Sequence, residues 1–230
     1  MFKQLEIFYD LVAQFKKDSS IEGVLLNGSV AVGTATESSD LDIIVIGQRD
    51  DFESQVIDSI LVEIHYTTFE SAINKLKSNP MEVYKYLDAK IEYDSGKVQE
   101  IVDCAENIFN DYRVPKKVQR EIVYWLQSIK PKLISASSKQ DMLMLSYLVS
   151  INTWKVLEGI WAVNQRPIPP ASSLYRRYKD LELIPSPNWF DGLLIGDPEP
   201  RSRVMMECID WICSICSRVE NGVPKRPVGL

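Results

Sequence analysis

Hydrophobic and polar residues follow two different patterns along this chain, and the pattern changes near residue 112. Before that point, short runs rich in β-branched and aliphatic residues alternate with amphipathic segments. Beyond it the short runs disappear and long segments with helical spacing dominate. Short β-branched runs favour strands, whereas apolar residues recurring every three or four positions favour helices. The pattern therefore predicts an α+β half followed by an all-helical half.

The first half is predicted to begin with an amphipathic helix at residues 2–17, which places Phe8, Val12 and other apolar residues on one face. Short apolar runs then predict four strands, at residues 24–26, 41–46, 60–67 and 90–93. Further helices are predicted at 69–78, after Pro80 and at 97–110. A mixed sheet covered by helices follows from this alternation.

The second half is predicted to contain only helices, at residues 115–136, 140–164, 171–180 and 199–219. Proline has no amide hydrogen to donate and cannot continue a helix, so the segments 164–170 and 184–192 are predicted breaks. The last ten residues, 221–230, are predicted to be extended. We therefore divide the chain into two domains, residues 1–112 and 113–230, the second a helical bundle.

Composition excludes several classes of protein. The net charge of −6 argues against a general nucleic-acid coat, which would carry a basic surplus. No apolar run approaches the roughly 20 residues of a membrane span. The N-terminal segment has acidic residues and helical spacing, unlike a signal peptide. We expect a cytoplasmic protein that does not contact a membrane.

The four cysteines do not predict a metal site. Cys208, Cys213 and Cys216 lie close together, but a zinc site needs a fourth ligand, and His65 is the only histidine. Free cysteine usually behaves as a small apolar residue in a protein core. We interpret these cysteines as packed residues of a helix.

The candidate chemistry lies in the stretch NGSVAVGTATESSDLDIIVIG, residues 27–47. Strand alternation places Asp40 and Asp42 on one face, about 7 Å apart at roughly 3.3 Å per residue. Two neighbouring carboxylates in a low dielectric repel each other, so a compensating charge is expected. Oxygen ligands at a strand end suit Mg²⁺. A third acid, Glu63, stands on the next predicted apolar strand.

The glycine-serine pair upstream suits a phosphate. Gly28 has no side chain where the backbone must approach a ligand, and Ser29 offers a hydroxyl and an amide at the start of a helical turn. Simpler interpretations exist for each residue. Asp40 and Asp42 would then form a hydrated strand entrance, Glu63 would face solvent, and Ser29 would cap a helix.

The combination of these motifs resembles the nucleotidyltransferase superfamily of DNA polymerase β. The shared features are G-S at residues 28–29, S-D-L-D at residues 39–42 with an interval of ten residues between Ser29 and Asp40, and a later acid on a strand. The resemblance implies that Asp40, Asp42 and Glu63 are catalytic residues that bind two Mg²⁺ ions. It also assigns Gly28, Ser29 and Ser39 to binding the nucleoside triphosphate.

The order of VEIHY, IEYDSGKVQEIV and a helical domain resembles the kanamycin nucleotidyltransferase type of antibiotic-modifying enzyme. This implies transfer of a nucleoside monophosphate from a nucleoside triphosphate, expected to be ATP, to a hydroxyl of a small molecule such as an antibiotic, with release of pyrophosphate. The helical domain would lie on the acceptor or partner side. The family's helical-domain base has no counterpart here, because Lys130 and Lys132 stand where it is expected. The acceptor therefore stays open.

A second class of function is also open. The same fold could serve as a catalytically weak nucleotide-binding module or an antitoxin-like regulatory subunit. The presence of all three acids favours the enzyme, since a module without metals has no need for mutually repelling carboxylates. Some family members place two subunits around one site, so a homodimer is a further alternative, and a nucleic-acid acceptor is disfavoured by the net charge.

Overall fold

A mixed five-stranded sheet organises the first part of the chain. The computed structural model describes residues 3–220, so Phe2 of the predicted first helix and the predicted extended tail at 221–230 lie outside the described residues. The elements that build this part are α1 (Lys3–Phe15), β1 (Gly23–Asn27), α2 (Gly28–Val32), β2 (Leu41–Gly47), β3 (Asp51–Ile57), β4 (Ile60–Thr68), α3 (Phe69–Ser78), α4 (Val83–Leu87), β5 (Lys90–Asp94) and α5 (Lys97–Asp111).

The strand order is β3-β4-β2-β1-β5, with β2 parallel to β4 and all other neighbours antiparallel. The central strand β2 lies between β1 and β4. Its residues from Ile43 to Ile46 are at most 1% exposed. A strand buried on both faces reads as a continuous apolar run, which is why residues 41–46 are recognisable in the sequence.

Alternate residues of the sheet pack against two different layers. On one face, Ile43 and Ile64 share a hydrophobic core with Phe8 of α1. On the other face, Ile44 and Ile46 share a core with residues of α3, α4 and α5. Because side chains alternate along a strand, Asp42 lies on the same face as Ile44 and therefore on the side of α3, α4 and α5.

One strand was absent from the sequence-based expectation. The segment 51–57, DFESQVI, forms the edge strand β3 and pairs only with β4. Most of its side chains are exposed, and charged residues on an edge strand discourage pairing with other chains. The segment carries no apolar alternation that would identify it as a strand.

The second part of the chain contains only helices among the described residues. They are α6 (Lys116–Ser138), α7 (Met142–Val163), α8 (Ala171–Arg177), α9 (Trp189–Leu194) and α10 (Pro198–Glu220). Helices α6, α7 and α10 supply most of a single core that includes Leu126, Ile160 and Ile212. The fold class predicted from the sequence, a mixed-sheet α+β part followed by a helical part, is confirmed.

The prediction of a helix break at 184–192 is wrong for the second half of this segment. Residues from Trp189 onward begin the short helix α9, in which Trp189 and Phe190 are buried. Pro185 and Pro187 lie before the N-cap residue Asn188, so they interrupt no hydrogen bond of this helix. The interpretation of the cysteines is confirmed, since Cys208 and Cys216 lie in the helical core and burial raises the pKa of Cys208 to about 12.

The chain divides into two compact units, Met1–Asp111 and Tyr112–Leu230. Each unit has hydrophobic core clusters of its own. Among the helices of residues 3–220, none is both long and apolar enough to cross a membrane.

Candidate active site

Two adjacent parallel strands bring the three predicted acids together. Asp42 on β2 is the register partner of Glu63 on β4, and Asp40 precedes β2 by one residue, on the same face as Asp42. One carboxylate oxygen from each of the three lies within 4.8 Å of the others. Asp40 is exposed and the other two are half-buried, so the cluster opens to solvent at one side.

The cluster is electrostatically unfavourable without a cation. Burial, the largest cause, and the negative charges of Asp40 and Glu63 together raise the pKa of Asp42 to about 6. The positive charge of Lys85 acts in the opposite sense but does not cancel the shift. Asp42 is therefore held in a place where its ionised form needs an additional positive charge.

Gly28 is required for Asp42 to occupy this place. Its φ of +65° lies in the left-handed region, and a Cβ atom added there would lie 1.9 Å from Asp42 Oδ2. The sequence suggested that Gly28 leaves room for a ligand. The structure shows that this room is filled by the Asp42 carboxylate, so the glycine acts through the acid next to it.

The Ser29 hydroxyl is buried without a partner. Its Oγ atom is shielded from solvent and has no hydrogen-bond partner among the described residues. Buried hydroxyl groups are nearly always hydrogen-bonded, and an orphaned one at a candidate site indicates a missing ligand or water. A phosphate oxygen would satisfy this donor.

The loop between α2 and β2 is held by a buried glutamine of α1. Gln4 is 1% exposed, and its Nε2 atom donates to the carbonyl oxygens of Thr36 at 2.9 Å and Ser39 at 3.0 Å. The Ser39 hydroxyl accepts a hydrogen bond from the Thr36 amide at 2.9 Å and thereby closes the turn before Asp40. Binding of the nucleotide by Ser39 stays a prediction.

The donor set fits a divalent metal. Within residues 3–220, Asp40, Asp42 and Glu63 form the one group of three or more potential ligand side chains close enough to share an ion. All three offer oxygen, which Mg²⁺ prefers over the nitrogen and sulfur ligands favoured by zinc. Because the pKa of Asp42 is raised, a cation bound at this point would stabilise its ionised form.

Two residues of this region were not recognised in the sequence. Gln4 is indistinguishable there from any polar residue of an amphipathic helix, because its partners lie more than thirty positions away. Lys85 is a single cation between two buried tyrosines, Tyr84 and Tyr86. A lysine inside the apolar run VYKYL was the signal available for it.

The helical unit contains a cavity of about 450 Å³. Its lining combines apolar and aromatic side chains with two acids and two bases: Tyr112, Val114, Val118, Glu121, Ile122, Trp125, Lys155, Glu158, Ala162, Arg166 and Ile168. Lys155 and Glu158 form an ion pair, and Trp125 Nε1 donates to Asn152 Oδ1 at 3.1 Å. Cavities of this size and mixed lining commonly accommodate small molecules.

Comparison with known proteins identifies the family of the first unit. A family model described as "Nucleotidyltransferase domain" matches residues 9–125, slightly more than half of the chain. No curated protein matches the chain.

Two solved structures show a distant likeness. A nucleotidyltransferase-like protein from Exiguobacterium sibiricum 255-15 is 9% identical, covers 93% of this chain and 75% of its own, and has a TM-score of 0.42. Spectinomycin adenyltransferase AAD(9) from Enterococcus faecialis, solved with ATP and spectinomycin, is 12% identical, covers 94% of this chain and 99% of its own, and has a TM-score of 0.32.

Proposed function

Since the chain belongs to the nucleotidyltransferase domain family, we propose that it transfers a nucleoside monophosphate from a nucleoside triphosphate to a hydroxyl group of a small molecule. ATP is the nucleotide to test first. The observation that carries the proposal is the set of three carboxylates within 4.8 Å of one another, next to a glycine-serine turn with a buried, unpartnered hydroxyl.

Asp40, Asp42 and Glu63 are the residues proposed to hold two Mg²⁺ ions. Mg²⁺ bound there would lower the pKa of the acceptor hydroxyl and offset negative charge on the triphosphate. The residues of the chain would contribute position, since β2 and β4 fix Asp42 and Glu63 side by side, and the loop held by Gln4 fixes the approach to Asp40.

Gly28 and Ser29 are proposed to bind the phosphates that leave. The Ser29 hydroxyl would donate to a phosphate oxygen and so acquire the partner that it lacks among the described residues. Gly28 would contribute indirectly, by leaving space for Asp42 Oδ2. Ser39 is proposed to support nucleotide binding through the turn that it closes.

The proposed reaction is an in-line displacement at the α-phosphorus. The acceptor oxygen forms a bond to the α-phosphorus, the bond from this phosphorus to the α–β bridging oxygen breaks, and pyrophosphate leaves with that electron pair. The hydroxyl proton passes to water. One nucleoside monophosphate is thus attached to the acceptor for each triphosphate consumed.

The helical unit, Tyr112–Leu230, is proposed to serve the acceptor. Two observations support this assignment. The unit has a cavity of small-molecule size lined by aromatic and charged side chains, and the net charge of −6 makes a nucleic-acid acceptor a poor match. A soluble small molecule with hydroxyl groups is the acceptor class to screen.

The test is transfer of label from α-³²P triphosphates to candidate acceptors in the presence of Mg²⁺. The wild type should label an acceptor, and Asp42→Ala should reduce the rate by about 100-fold or more, because it removes one of the proposed metal ligands. Asp10→Ala, which removes an exposed acid of α1, serves as the matched control and should label at the wild-type rate. Equal labelling by the wild type and Asp42→Ala would overturn the proposal.

A further inference from the structure

Lys85 lies on the same side of the sheet as the carboxylate cluster. Its helix, α4, packs through Val83, Tyr84 and Tyr86 into the core that contains Ile44 and Ile46 of β2. Asp42 is on the same face of β2 as these two isoleucines. The lysine therefore projects from a helix that covers the face on which the acids are displayed.

The positive charge of Lys85 influences Asp42 of the carboxylate cluster, although the lysine forms no ion pair with it. Asp42 raises the pKa of Lys85, and Lys85 lowers the pKa of Asp42, so each carries an electrostatic influence on the other. Yet the Lys85 ammonium has no ion pair or hydrogen bond within residues 3–220. Burial is the largest influence on this group and lowers its pKa, against the favourable effect of nearby Glu82 and Asp42.

A purely structural role explains this arrangement poorly. A lysine retained to neutralise the acids would be expected to contact one of them, as Lys130 contacts Asp210 at 2.5 Å elsewhere in the chain. A half-buried ammonium without a direct partner loses part of its hydration, which reduces the stability of the folded state. Groups that reduce stability in this way are characteristic of sites that bind a charged ligand.

We propose that Lys85 binds the phosphate groups of the nucleoside triphosphate at the carboxylate site, an inference that rests on the proposed function. A polyphosphate that approaches three carboxylates needs positive charge from the protein as well as from cations. A lysine ammonium is a compact point charge on a flexible stem that suits phosphate oxygens. Its proximity to Asp42 places this charge where the triphosphate would meet the cluster.

The test compares binding of a non-hydrolysable ATP analogue and of adenosine by calorimetry, in the presence of Mg²⁺. Lys85→Met should weaken binding of the analogue by about tenfold or more and leave adenosine binding unchanged, because only the analogue has phosphates. Lys75→Met removes the same charge from the neighbouring helix α3, where the side chain is 58% exposed and pairs with Asp50. This matched control should change analogue binding by less than about threefold.

Two further measurements separate phosphate binding from a structural role. Without ligand, Lys85→Met should unfold at the wild-type temperature or higher, because it removes a partly desolvated charge. Lys85→Arg keeps the charge and should bind the analogue more tightly than Lys85→Met. Equal analogue affinity in Lys85→Met and the wild type, or in Lys85→Met and Lys85→Arg, would overturn the inference. Failure of the wild type itself to bind the analogue would instead overturn the proposed function.

Discussion

In the absence of a cation, the fold disfavours the ionised form of Asp42, which is the form proposed to bind Mg²⁺. Its folded-state pKa of about 6 lies above the ordinary value of 3.8 because of burial and the two neighbouring acids. A carboxyl group whose pKa is raised by folding favours the folded state when it is protonated. The metal-free protein should therefore lose stability as the pH rises from about 4 through 6.

Asp42→Asn should remove this dependence on pH. In EDTA, the variant should be more stable than the wild type at pH 7.5, and its advantage should shrink as the pH falls from 7 to 4. The free energy of unfolding of both proteins, measured by urea titration across this range, gives the difference directly. Titrating groups outside the carboxylate cluster are common to both proteins and cancel, so the difference reports on Asp42 and the two acids coupled to it. A difference that does not change with pH would contradict the prediction.

Gly28 and Gly33 form a matched pair for testing how Asp42 is positioned. Both have positive φ, +65° and +77°, so alanine strains the backbone at either position. We expect each substitution to destabilise the protein by about 1 kcal/mol from this source. At Gly28 the new Cβ would also displace Asp42 Oδ2, whereas at Gly33 nothing lies within 4 Å.

The two glycine variants should therefore differ in activity more than in stability. Gly28→Ala should lose most Mg²⁺-dependent nucleotidyl transfer, and Gly33→Ala should retain it. Thermal unfolding and the labelling assay on both variants provide the measurement. Equal transfer rates would show that Asp42 tolerates displacement and that the glycine is needed for its backbone alone.

At the scale of elements, buried strands could be predicted from the sequence and the edge strand could not. The run 41–46 is apolar because β2 is buried on both faces, and the run 60–67 is recognisable because alternate residues of β4, from Ile60 to Ile64, lie in the core shared with α1. Strand β3 is mostly exposed, so its register is fixed by hydrogen bonds to β4 and not by a hydrophobic face. The local pattern of apolar and polar residues therefore does not indicate that β3 pairs with β4.

The loop before Asp40 is also fixed by contacts that the local sequence does not indicate, and the importance of these contacts can be tested by substitution. Gln4 holds this loop through contacts with carbonyl groups that a leucine could not make. Gln4→Leu should lower the free energy of unfolding by about 1–3 kcal/mol, because the carbonyl groups of Thr36 and Ser39 lose their donor. It should also weaken Mg²⁺ binding, since Asp40 directly follows Ser39.

The control for this prediction is Glu6→Leu, which introduces the same side chain at an exposed position of α1. It should leave both quantities close to the wild-type values. Urea unfolding and Mg²⁺ titration by calorimetry measure them. If Gln4→Leu lowers stability but leaves Mg²⁺ affinity unchanged, the loop supports the fold without positioning Asp40.

For the whole molecule, the sequence allowed the site to be predicted wherever a motif was local. Gly28, Ser29, Asp40 and Asp42 fall within one stretch of fifteen residues, and their spacing could be recognised directly. The proposed role of Lys85 depends on the packing of α4 on the sheet, which no local pattern encodes. The cavity proposed for the acceptor is lined by side chains of α6 and α7 that come together in the helical unit, where no motif was available.

The separate cores of the two units lead to a prediction about how the molecule unfolds. Leu126 and Leu25 are both fully buried, the first in the helical core and the second, on β1, in the core between the sheet and helices α3, α4 and α5. Truncation of either to alanine should destabilise its own unit by about 2–5 kcal/mol. All five tryptophans, at positions 125, 154, 161, 189 and 211, belong to the helical unit, so their fluorescence reports on that unit alone.

Leu126→Ala should therefore lower the temperature at which tryptophan fluorescence changes, while Mg²⁺-dependent triphosphate binding below that temperature keeps its wild-type affinity. Leu25→Ala should leave the fluorescence transition in place and lower the temperature at which triphosphate binding is lost. This reciprocal pattern follows if the first unit holds the nucleotide by itself. Equal shifts of both transitions in both variants would show instead that the units unfold as one, and that nucleotide binding depends on the helical unit as well.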